Sequence, residues 1–207
     1  LDPHQFAQEA ADHQRQIAAI YPVYETALRQ HNAFDFDDLL VEVVRQLQQH
    51  RDVLEKYQER FKYLLIDEYQ DTNRPQSLLT QHLAAKYRNI CCVGDDDQSI
   101  YQFRGADIRN ILDFERDYPE AKTVRLEQNY RSTGSILAAA NAVIQNNQNR
   151  KGKQLWTQSE QGEPIQLVEC DSDRREARYV VESIKRLNQQ ENLSLAEMAI
   201  LYRTNAQ

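Results

Sequence analysis

YLLIDEYQDTN, which spans residues 63–73, carries the clearest structural signal in the sequence. Four apolar residues, Tyr63 to Ile66, are followed directly by the two acids Asp67 and Glu68. An apolar run of this length that ends abruptly in polar residues is typical of a buried strand in a parallel sheet. Because ligands bind at the carboxyl edge of open parallel sheets, we expect both carboxylates to lie at a ligand-binding edge.

The pair Asp67 and Glu68 suits the hydrolysis of a nucleoside triphosphate. In such sites the first acid holds Mg²⁺, directly or through water, and the next acid orients and deprotonates the attacking water. Two adjacent acids are also compatible with an ordinary polar turn after a strand, and the pair alone leaves both interpretations open. Gln70 and Asp71 follow in the same turn, where we predict that they contact the bound cofactor.

Predicted strands and helices alternate along the chain, which indicates an α/β fold. The first two strands and the helix between them form a predicted βαβ unit whose polar strand ends share one edge. Pro22 is expected to mark a break or a first turn in the N-terminal helical region. The predicted strands are residues 63–66, 89–93, 123–126, 165–170 and 198–202. Residues 3–31 are predicted to form one or two amphipathic helices, and the other predicted helices are residues 35–47, 53–60, 75–87, 108–118, 133–146 and 174–189.

Polar residues also follow the second and third predicted strands. Gln98 comes after the strand at 89–93, where its side-chain amide is placed to contact a terminal phosphate. Tyr130 and Arg131 come after the strand at 123–126, and arginine stabilises the charge that develops on a transferred phosphoryl group. Acids, an amide and a guanidinium at three neighbouring strand ends predict a site that hydrolyses a triphosphate.

The segment that follows Gln98 has a different character. Tyr101 and Phe103 alternate with polar residues and are followed by Arg104. Aromatic side chains beside an arginine stack on the bases of a single strand without reading its sequence. The alternative interpretation is that Tyr101 and Phe103 are core residues of a short turn.

Two other features favour structural roles. Asp35, Asp37 and Asp38 lie in the first turn of a predicted helix, where acids cap the helix and interact favourably with its dipole. The single tryptophan, Trp156, lies in a polar connecting segment, and we predict that it packs against the fold.

The composition limits the classes of protein to consider. The 32 acids exceed the 25 lysines and arginines, and the net charge of −7 argues mildly against a nucleic-acid partner, although a binding groove needs only local basic and aromatic residues.

The three cysteines, two of them adjacent at Cys91 and Cys92, predict buried thiols in a cytoplasmic protein. No apolar run approaches the ~20 residues that span a bilayer. The first residue, Leu1, is not methionine, and we expect the chain to be part of a longer protein.

Four motifs occur in a fixed order along the chain after the segment FDFDDLL at 34–40. They are LLIDEYQDTN at 64–73, VGDDDQSIYQFRGAD at 93–107, LEQNYRS at 126–132 and ILYRTNAQ at 200–207. Together these segments resemble the UvrD/Rep/PcrA family of superfamily 1 DNA helicases.

The resemblance implies a 3′-to-5′ translocase on single-stranded DNA that is driven by ATP and Mg²⁺. It implies two partial RecA-like domains with parallel sheets and the nucleotide between them. Residues 1–35 would be the last helices of a helical insertion, 36–124 the rear part of the first RecA-like domain, and 125–207 the first part of the second. The implied partners are single-stranded DNA, 3′-tailed duplex DNA, and accessory proteins of repair or replication.

The same resemblance implies a role for each motif residue. Asp67 would hold Mg²⁺, and the adjacent Glu68 would face the metal and activate water. Gln98 would contact the γ-phosphate, Tyr130 would pack on the adenine, and Arg131 would act as an arginine finger. The residues expected to line the DNA path are Tyr101, Phe103, Arg104, Arg203 and Asn205.

The sequence departs from the family pattern in two places. The family usually has tryptophan where Phe103 stands, and a phenyl ring stacks on a base with less area. No G-x-x-x-x-G-K-[ST] loop is present, because the single Gly-Lys pair, Gly152-Lys153, has Asn147 five positions before the glycine. Without that loop no backbone cradle holds the β- and γ-phosphates, so we predict that the isolated chain does not hydrolyse ATP. The alternatives to a helicase section are a non-catalytic DNA-binding or protein-docking relative and the motor of a helicase-nuclease.

Overall fold

A computed structural model describes residues 3–148 and 150–204. The fold is mixed α/β and mostly helical, with one two-stranded parallel sheet. The chain divides into two compact units, Leu1–Glu127 with Ala142–Gln154, and Gln128–Asn141 with Leu155–Gln207. Among the described helices, none combines the length and the apolar character needed to cross a membrane.

In the described residues four α-helices precede β1, one lies between the two strands, and four follow β2. The strands are β1 Leu64–Ile66 and β2 Ile90–Cys92. The α-helices are α1 Pro3–Glu9, α2 Arg15–Gln30, α3 Asp38–Gln49, α4 Arg51–Arg60, α5 Arg74–Ala84, α6 Arg109–Leu112, α7 Phe114–Asp117, α8 Gly134–Ile144 and α9 Asp173–Gln190. Short 3₁₀ helices occupy Asp12–Gln14, Tyr69–Asp71, Asp96–Gln98, Gln102–Arg104 and Leu195–Glu197.

The two strands pair in parallel, as the βαβ prediction requires. Leu65 lies opposite Cys91 in the register, and α5 connects the strands. The main-chain pairing continues past the strand ends, because the Tyr69 amide donates to the Val93 carbonyl at 3.0 Å. The carboxyl ends of β1 and β2 therefore lie side by side.

The prediction that these strands are buried was wrong for one face of the sheet. Leu65 is 81 % exposed, and its neighbour Cys91 is also exposed, although both had been expected in the interior. Leu64, Ile66 and Cys92 are partly buried. In the part of the chain that the structure describes, no element covers the face of the sheet that carries Leu65 and Cys91.

Reciprocal hydrogen bonds between side chains and backbone amides precede two helices of the first unit. Asn73 Oδ1 accepts from the Gln76 amide at 3.0 Å, and Gln76 Oε1 accepts from the Asn73 amide at 2.9 Å, which starts α5. Asp35 and Asp38 make the same reciprocal exchange at the start of α3, at 2.9 and 3.2 Å. These bonds satisfy amides that the first helical turn leaves unpaired. The acidic cluster therefore caps α3 only in part, because Asp35 and Asp38 exchange hydrogen bonds ahead of the helix whereas Asp37, the N-cap residue, makes no side-chain cap hydrogen bond.

The core of the first unit is formed where α3 packs against α4 and α5. Val44, Leu47 and Ala84 are buried there. Close to the sheet, Tyr69 is also buried and meets Phe114 edge to face, with ring centroids 5.7 Å apart.

Three predicted strands are absent from the described residues. Segments 123–126, 165–170 and 198–202 are not hydrogen-bonded as strands, and Leu126, Leu167 and Leu201 are each at least four-fifths exposed. A strand is defined by its pairing with a neighbour, and none of these segments has a paired neighbour in the described ranges. The described residues of the second unit therefore contain no sheet, contrary to the expectation of parallel sheets in both halves.

Smaller corrections concern three other sites. Pro22 lies inside α2 and does not end it, because a proline removes only one helical hydrogen bond when the flanking turns persist. The helix expected at 108–118 is divided into α6 and α7 at Asp113. Trp156 is 46 % exposed, so its predicted packing role holds for only part of the ring.

Candidate functional site

The two acids that follow β1 are exposed at the end of the strand. Asp67 Oδ1 accepts from the Glu68 amide at 2.9 Å. Glu68 has a left-handed backbone, with φ 50° and ψ 42°, which only a few per cent of non-glycine residues adopt. This turn sends the next side chain, Tyr69, into the core and leaves both carboxylates on the surface.

Gln70 lies behind these acids and is only 1 % exposed. Its Nε2 donates to Glu68 Oε2 at 2.7 Å, and its Oε1 accepts from the Asp95 amide at 2.9 Å. The Glu68 carboxylate can only accept a hydrogen bond, and the backbone N–H of Asp95 can only donate one. These two partners therefore fix which end of the Gln70 side-chain amide faces each turn. Gln70 thus joins the turn after β1 to the turn after β2.

Gly94 is required for this link. A Cβ atom at this position would lie 2.6 Å from Gln70 Oε1 and 2.8 Å from Ile111 Cδ1. Both distances are shorter than non-bonded contacts allow, so any larger residue would displace the glutamine. The close approach of the chain at Gly94 lets the buried amide reach both turns.

The donor set after β1 fits a magnesium ion. Asp67 and Glu68 offer exposed carboxylate oxygens, which are the ligands that Mg²⁺ prefers. Asp71 follows in the same turn, and its Oδ1 is buried without a hydrogen-bond partner in residues 3–148 and 150–204. An unpaired buried carboxylate oxygen is costly, and a cation or its water shell would satisfy it.

The turn after β2 contains Asp95, Asp96 and Asp97, followed by Gln98. Carboxylate oxygens of the three aspartates lie within 4.8 Å of one another. Gln98 is exposed, and its Nε2 donates to Asp95 Oδ2 at 2.7 Å. Gln98 therefore stands beside Asp95, whose amide is bound by the same Gln70 side chain that binds Glu68.

Two cations, Arg150 and Lys153, form ion pairs with the three aspartates of this turn, and we call them the basic clasp. Arg150 binds both oxygens of Asp97, at 2.9 and 2.7 Å. Lys153 Nζ binds Asp95 Oδ1 and lies 3.9 Å from Asp96 Oδ1 and 3.7 Å from Asp97 Oδ2. The three aspartates therefore form ion pairs within the protein, unlike Asp67 and Glu68.

The clasp also determines the charge state of Asp95. Burial alone would raise the pKa of Asp95, but the hydrogen bonds from Lys153 and Gln98 outweigh burial and lower it. The hydrogen bonds to Asp97 raise the pKa of Arg150. Asp95 and Arg150 are therefore both charged at neutral pH.

Sequence reasoning missed the clasp, the role of Asp95 and the requirement for Gly94. Gly152-Lys153 was considered only as an incomplete phosphate loop. Opposite charges separated by more than fifty residues give no local sequence pattern. The available signal was the presence of an acidic run, residues 95–97, and a basic run of similar size, residues 150–153.

The predicted DNA-contact residues form an exposed aromatic surface in the first unit. Phe103 is 76 % exposed, so the interpretation as a core residue is wrong for this side chain. The Tyr101 and Phe103 rings lie 5.9 Å apart, and Arg104 Cζ lies 4.9 and 5.5 Å from their centroids. Two aromatic faces and a guanidinium are the groups on which single-stranded bases stack.

The remaining predicted site residues belong to the second unit. The Tyr130 ring is 82 % exposed, and its hydroxyl donates to Gln128 Oε1 at 2.9 Å. Arg131 is exposed, and its amide donates to Asn129 Oδ1 at 2.9 Å. Arg203 is exposed as well. The prediction for Asn205 falls outside the described residues.

Comparison with known proteins gives two family matches that together include all of these residues. The model of the UvrD/REP helicase N-terminal domain matches residues 1–119, and that of the UvrD-like helicase C-terminal domain matches residues 124–207. The ATP-dependent DNA helicase PcrA of Staphylococcus epidermidis is 51 % identical over 206 residues, which is 99 % of this chain and 28 % of the relative. PcrA of Staphylococcus aureus is 51 % identical over 200 residues, 96 % of this chain and 27 % of the relative. The chain thus spans little more than a quarter of the length of these relatives.

Proposed function

Because the chain belongs to the UvrD/REP helicase family, we propose that it is the central section of a DNA helicase that couples ATP hydrolysis to movement along single-stranded DNA. One observation carries this proposal. Exposed Asp67 and Glu68 follow β1, exposed Gln98 follows the adjacent parallel β2, and the buried Gln70 ties the two turns together.

The acids after β1 perform the chemistry in this proposal. Asp67 and Glu68 would hold Mg²⁺, which would neutralise charge on the triphosphate. Glu68 also accepts the proton of the attacking water. Gln70 fixes one oxygen of Glu68, and in the described residues no hydrogen bond occupies the other. That oxygen is the acceptor for the proton, and the buried amide keeps it in one position.

The other motif residues bind the nucleotide. Gln98 contacts the γ-phosphate through its side-chain amide. Tyr130 packs its exposed ring on the adenine, and Arg131 stabilises the charge that develops during phosphoryl transfer. The buried Oδ1 of Asp71 would face the bound cofactor or its water shell. Gln70 serves the cofactor indirectly, through its hydrogen bonds with Glu68, Asp71 and Asp95.

The chain would contribute to two RecA-like domains. We propose that residues 1–35 belong to a helical insertion, 36–124 to the first domain and 125–207 to the second. The two family models support the boundary near residue 124, since one match ends at residue 119 and the next begins at residue 124.

Single-stranded DNA passes over Tyr101, Phe103 and Arg104 in this proposal, with Arg203 and Asn205 as further contacts from the second half. Movement runs 3′ to 5′, so a 3′-tailed duplex is the substrate for unwinding. Proteins of repair or replication would recruit the helicase to such tails.

Unwinding by the full-length gene product tests this function. With ATP and Mg²⁺, we expect hydrolysis that single-stranded DNA stimulates, and separation of a 3′-tailed duplex but not of the matched 5′-tailed duplex. Binding of single-stranded DNA without hydrolysis would overturn the proposal in favour of a non-catalytic relative. The isolated chain of 207 residues is expected to show no hydrolysis in the same assay.

A further inference from the structure

Asp95 makes hydrogen bonds in three directions from the turn after β2. Its amide donates to Gln70 Oε1 at 2.9 Å, and its Oδ2 accepts from Gln98 Nε2 at 2.7 Å. Its Oδ1 accepts from the Asp97 amide at 2.9 Å and from Lys153 Nζ. Asp95 is therefore in direct contact with Gln98 and one residue removed from Glu68.

Lys153 holds this carboxylate in place. The side chains of Lys153 and Asp95 are only 19 % and 22 % exposed, and a carboxylate at such depth requires a charged partner. Removal of the ammonium group would favour rotation of Asp95 toward water. Gln98 would then lose the acceptor that orients its amide.

The backbone that carries the clasp is itself fixed. Gly152 has φ +66°, a conformation that glycine adopts without steric cost. Arg125 Nη1 donates to the Gly152 carbonyl at 3.1 Å, and Arg125 Nη2 donates to the Lys151 carbonyl at 3.4 Å. This turn therefore places the Lys153 side chain beside Asp95.

The clasp also connects two parts of the sequence that the family models separate. Arg150 and Lys153 fall within residues 124–207, matched by the C-terminal domain model, whereas Asp95 and Asp97 fall within residues 1–119, matched by the N-terminal domain model. All four residues nevertheless lie in the first compact unit. The ion pairs thus tie a segment of the second match directly to the end of β2.

We propose that Asp95 and Lys153 are positioning residues for ATP hydrolysis: Lys153 fixes Asp95, and Asp95 orients Gln98 directly and Glu68 through Gln70. This role rests on the proposed function. Neither residue touches the nucleotide. Both act by keeping the side-chain amide of Gln98 and the general base Glu68 in the geometry that hydrolysis requires. Small displacements of such groups reduce the rate of a chemical step strongly.

Three substitutions in the full-length gene product test the role of Lys153. Lys153→Gln removes the charge and should lower kcat about tenfold while KM for ATP stays within about twofold. Lys153→Arg keeps the charge and should restore most of kcat. The matched control is Lys151→Gln, whose side chain pairs with exposed Glu115 at 3.4 Å, and it should leave both constants unchanged.

A double-mutant cycle tests whether Lys153 acts through Asp95. Asp95→Asn alone should also lower kcat, and adding it to Lys153→Gln should lower kcat little further, because residues that act as one unit are not additive. If the kcat of the double variant is instead lowered by the product of the two single effects, the proposed chain of contacts is overturned.

Amide hydrogen exchange separates failure of this inference from failure of the proposed function. In Lys153→Gln the amides of Asp95 and Gln98 should exchange several-fold faster than in the wild type and in Lys151→Gln. Unchanged exchange, or unchanged kcat in an active enzyme, would overturn the positioning role alone. A wild type that hydrolyses no ATP would overturn the proposed function and the positioning role with it.

Discussion

At the scale of single residues, the geometry of the candidate site depends on a glutamine between two exposed acids and a neighbouring turn. The sequence pattern places Gln70 among polar residues after a strand, and we predicted that it contacts the cofactor. The structure buries it, with 1 % exposure. The left-handed backbone of Glu68 redirects the following residues inward, and a strand-end pattern does not reveal such a reversal.

The adjacent cysteines provide a test at the same scale. Cys91 is exposed, whereas Cys92 is partly buried, and burial raises the pKa of Cys92 to about 12. Because the thiolate is the reactive form, the thiolate fraction of Cys92 at pH 8 is ~10⁻⁴. We expect iodoacetamide at that pH to modify Cys91 readily and Cys92 hardly at all, as read by peptide mass spectrometry.

The control for this labelling is the same reaction in urea. Unfolding removes the burial that raises the pKa of Cys92, so both thiols should then react at similar rates. Equal labelling of Cys91 and Cys92 in the folded protein would contradict the burial pattern of β2.

At the scale of elements, the sequence was sufficient for the βαβ unit but not for the later strands. An apolar run that ends in polar residues is a local signal, and β1 and β2 form where that signal is, with α5 between them. Apolar runs at 165–170 and 198–202 carry the same local signal. Whether such a run becomes a strand depends on a hydrogen-bonded neighbour, which local sequence does not supply.

The turn that joins the two strand ends gives a prediction at this scale. Gly94→Ala places a Cβ 2.6 Å from Gln70 Oε1, and overpacking of this kind lowers the free energy of unfolding by roughly 1–3 kcal/mol. Urea denaturation of the wild type and the variant measures the difference.

A second substitution identifies the cause of that loss. In a Gln70→Ala background the contact with Oε1 no longer exists, so Gly94→Ala should cost less there than in the wild type. The same loss of stability in both backgrounds would show that the glutamine is not what excludes a side chain at position 94.

At the scale of the whole molecule, the net charge of −7 and the proposed contact with DNA are compatible. The three acids of the turn after β2 are paired with two cations, Arg150 and Lys153, so most of their charge is balanced within the protein. The aromatic surface of Tyr101, Phe103 and Arg104 is exposed, and contact with bases depends on that local surface more than on total charge.

Single-strand binding measures the contribution of that surface. Phe103→Ala should weaken binding of a short oligonucleotide by ~1–3 kcal/mol, the typical contribution of one stacked base. Phe103→Trp should bind at least as tightly as the wild type, because the larger ring offers more stacking area. Phe61→Ala is the control, since Phe61 is also an exposed phenylalanine but lies at the end of α4. Wild-type affinity in Phe103→Ala and in Tyr101→Ala would exclude this surface from the DNA path.

The most direct measurement is ATP hydrolysis by Glu68→Gln in the full-length gene product, together with nucleotide binding. The substitution keeps the shape of the side chain and removes the carboxylate that accepts the proton. We predict that the rate of hydrolysis falls ~10²-fold or more, while ATP binding is retained. Glu59→Gln, which alters an exposed acid paired with Lys86, should hydrolyse ATP as the wild type does. Wild-type turnover in Glu68→Gln would contradict the assignment of this strand end as the catalytic part of the site.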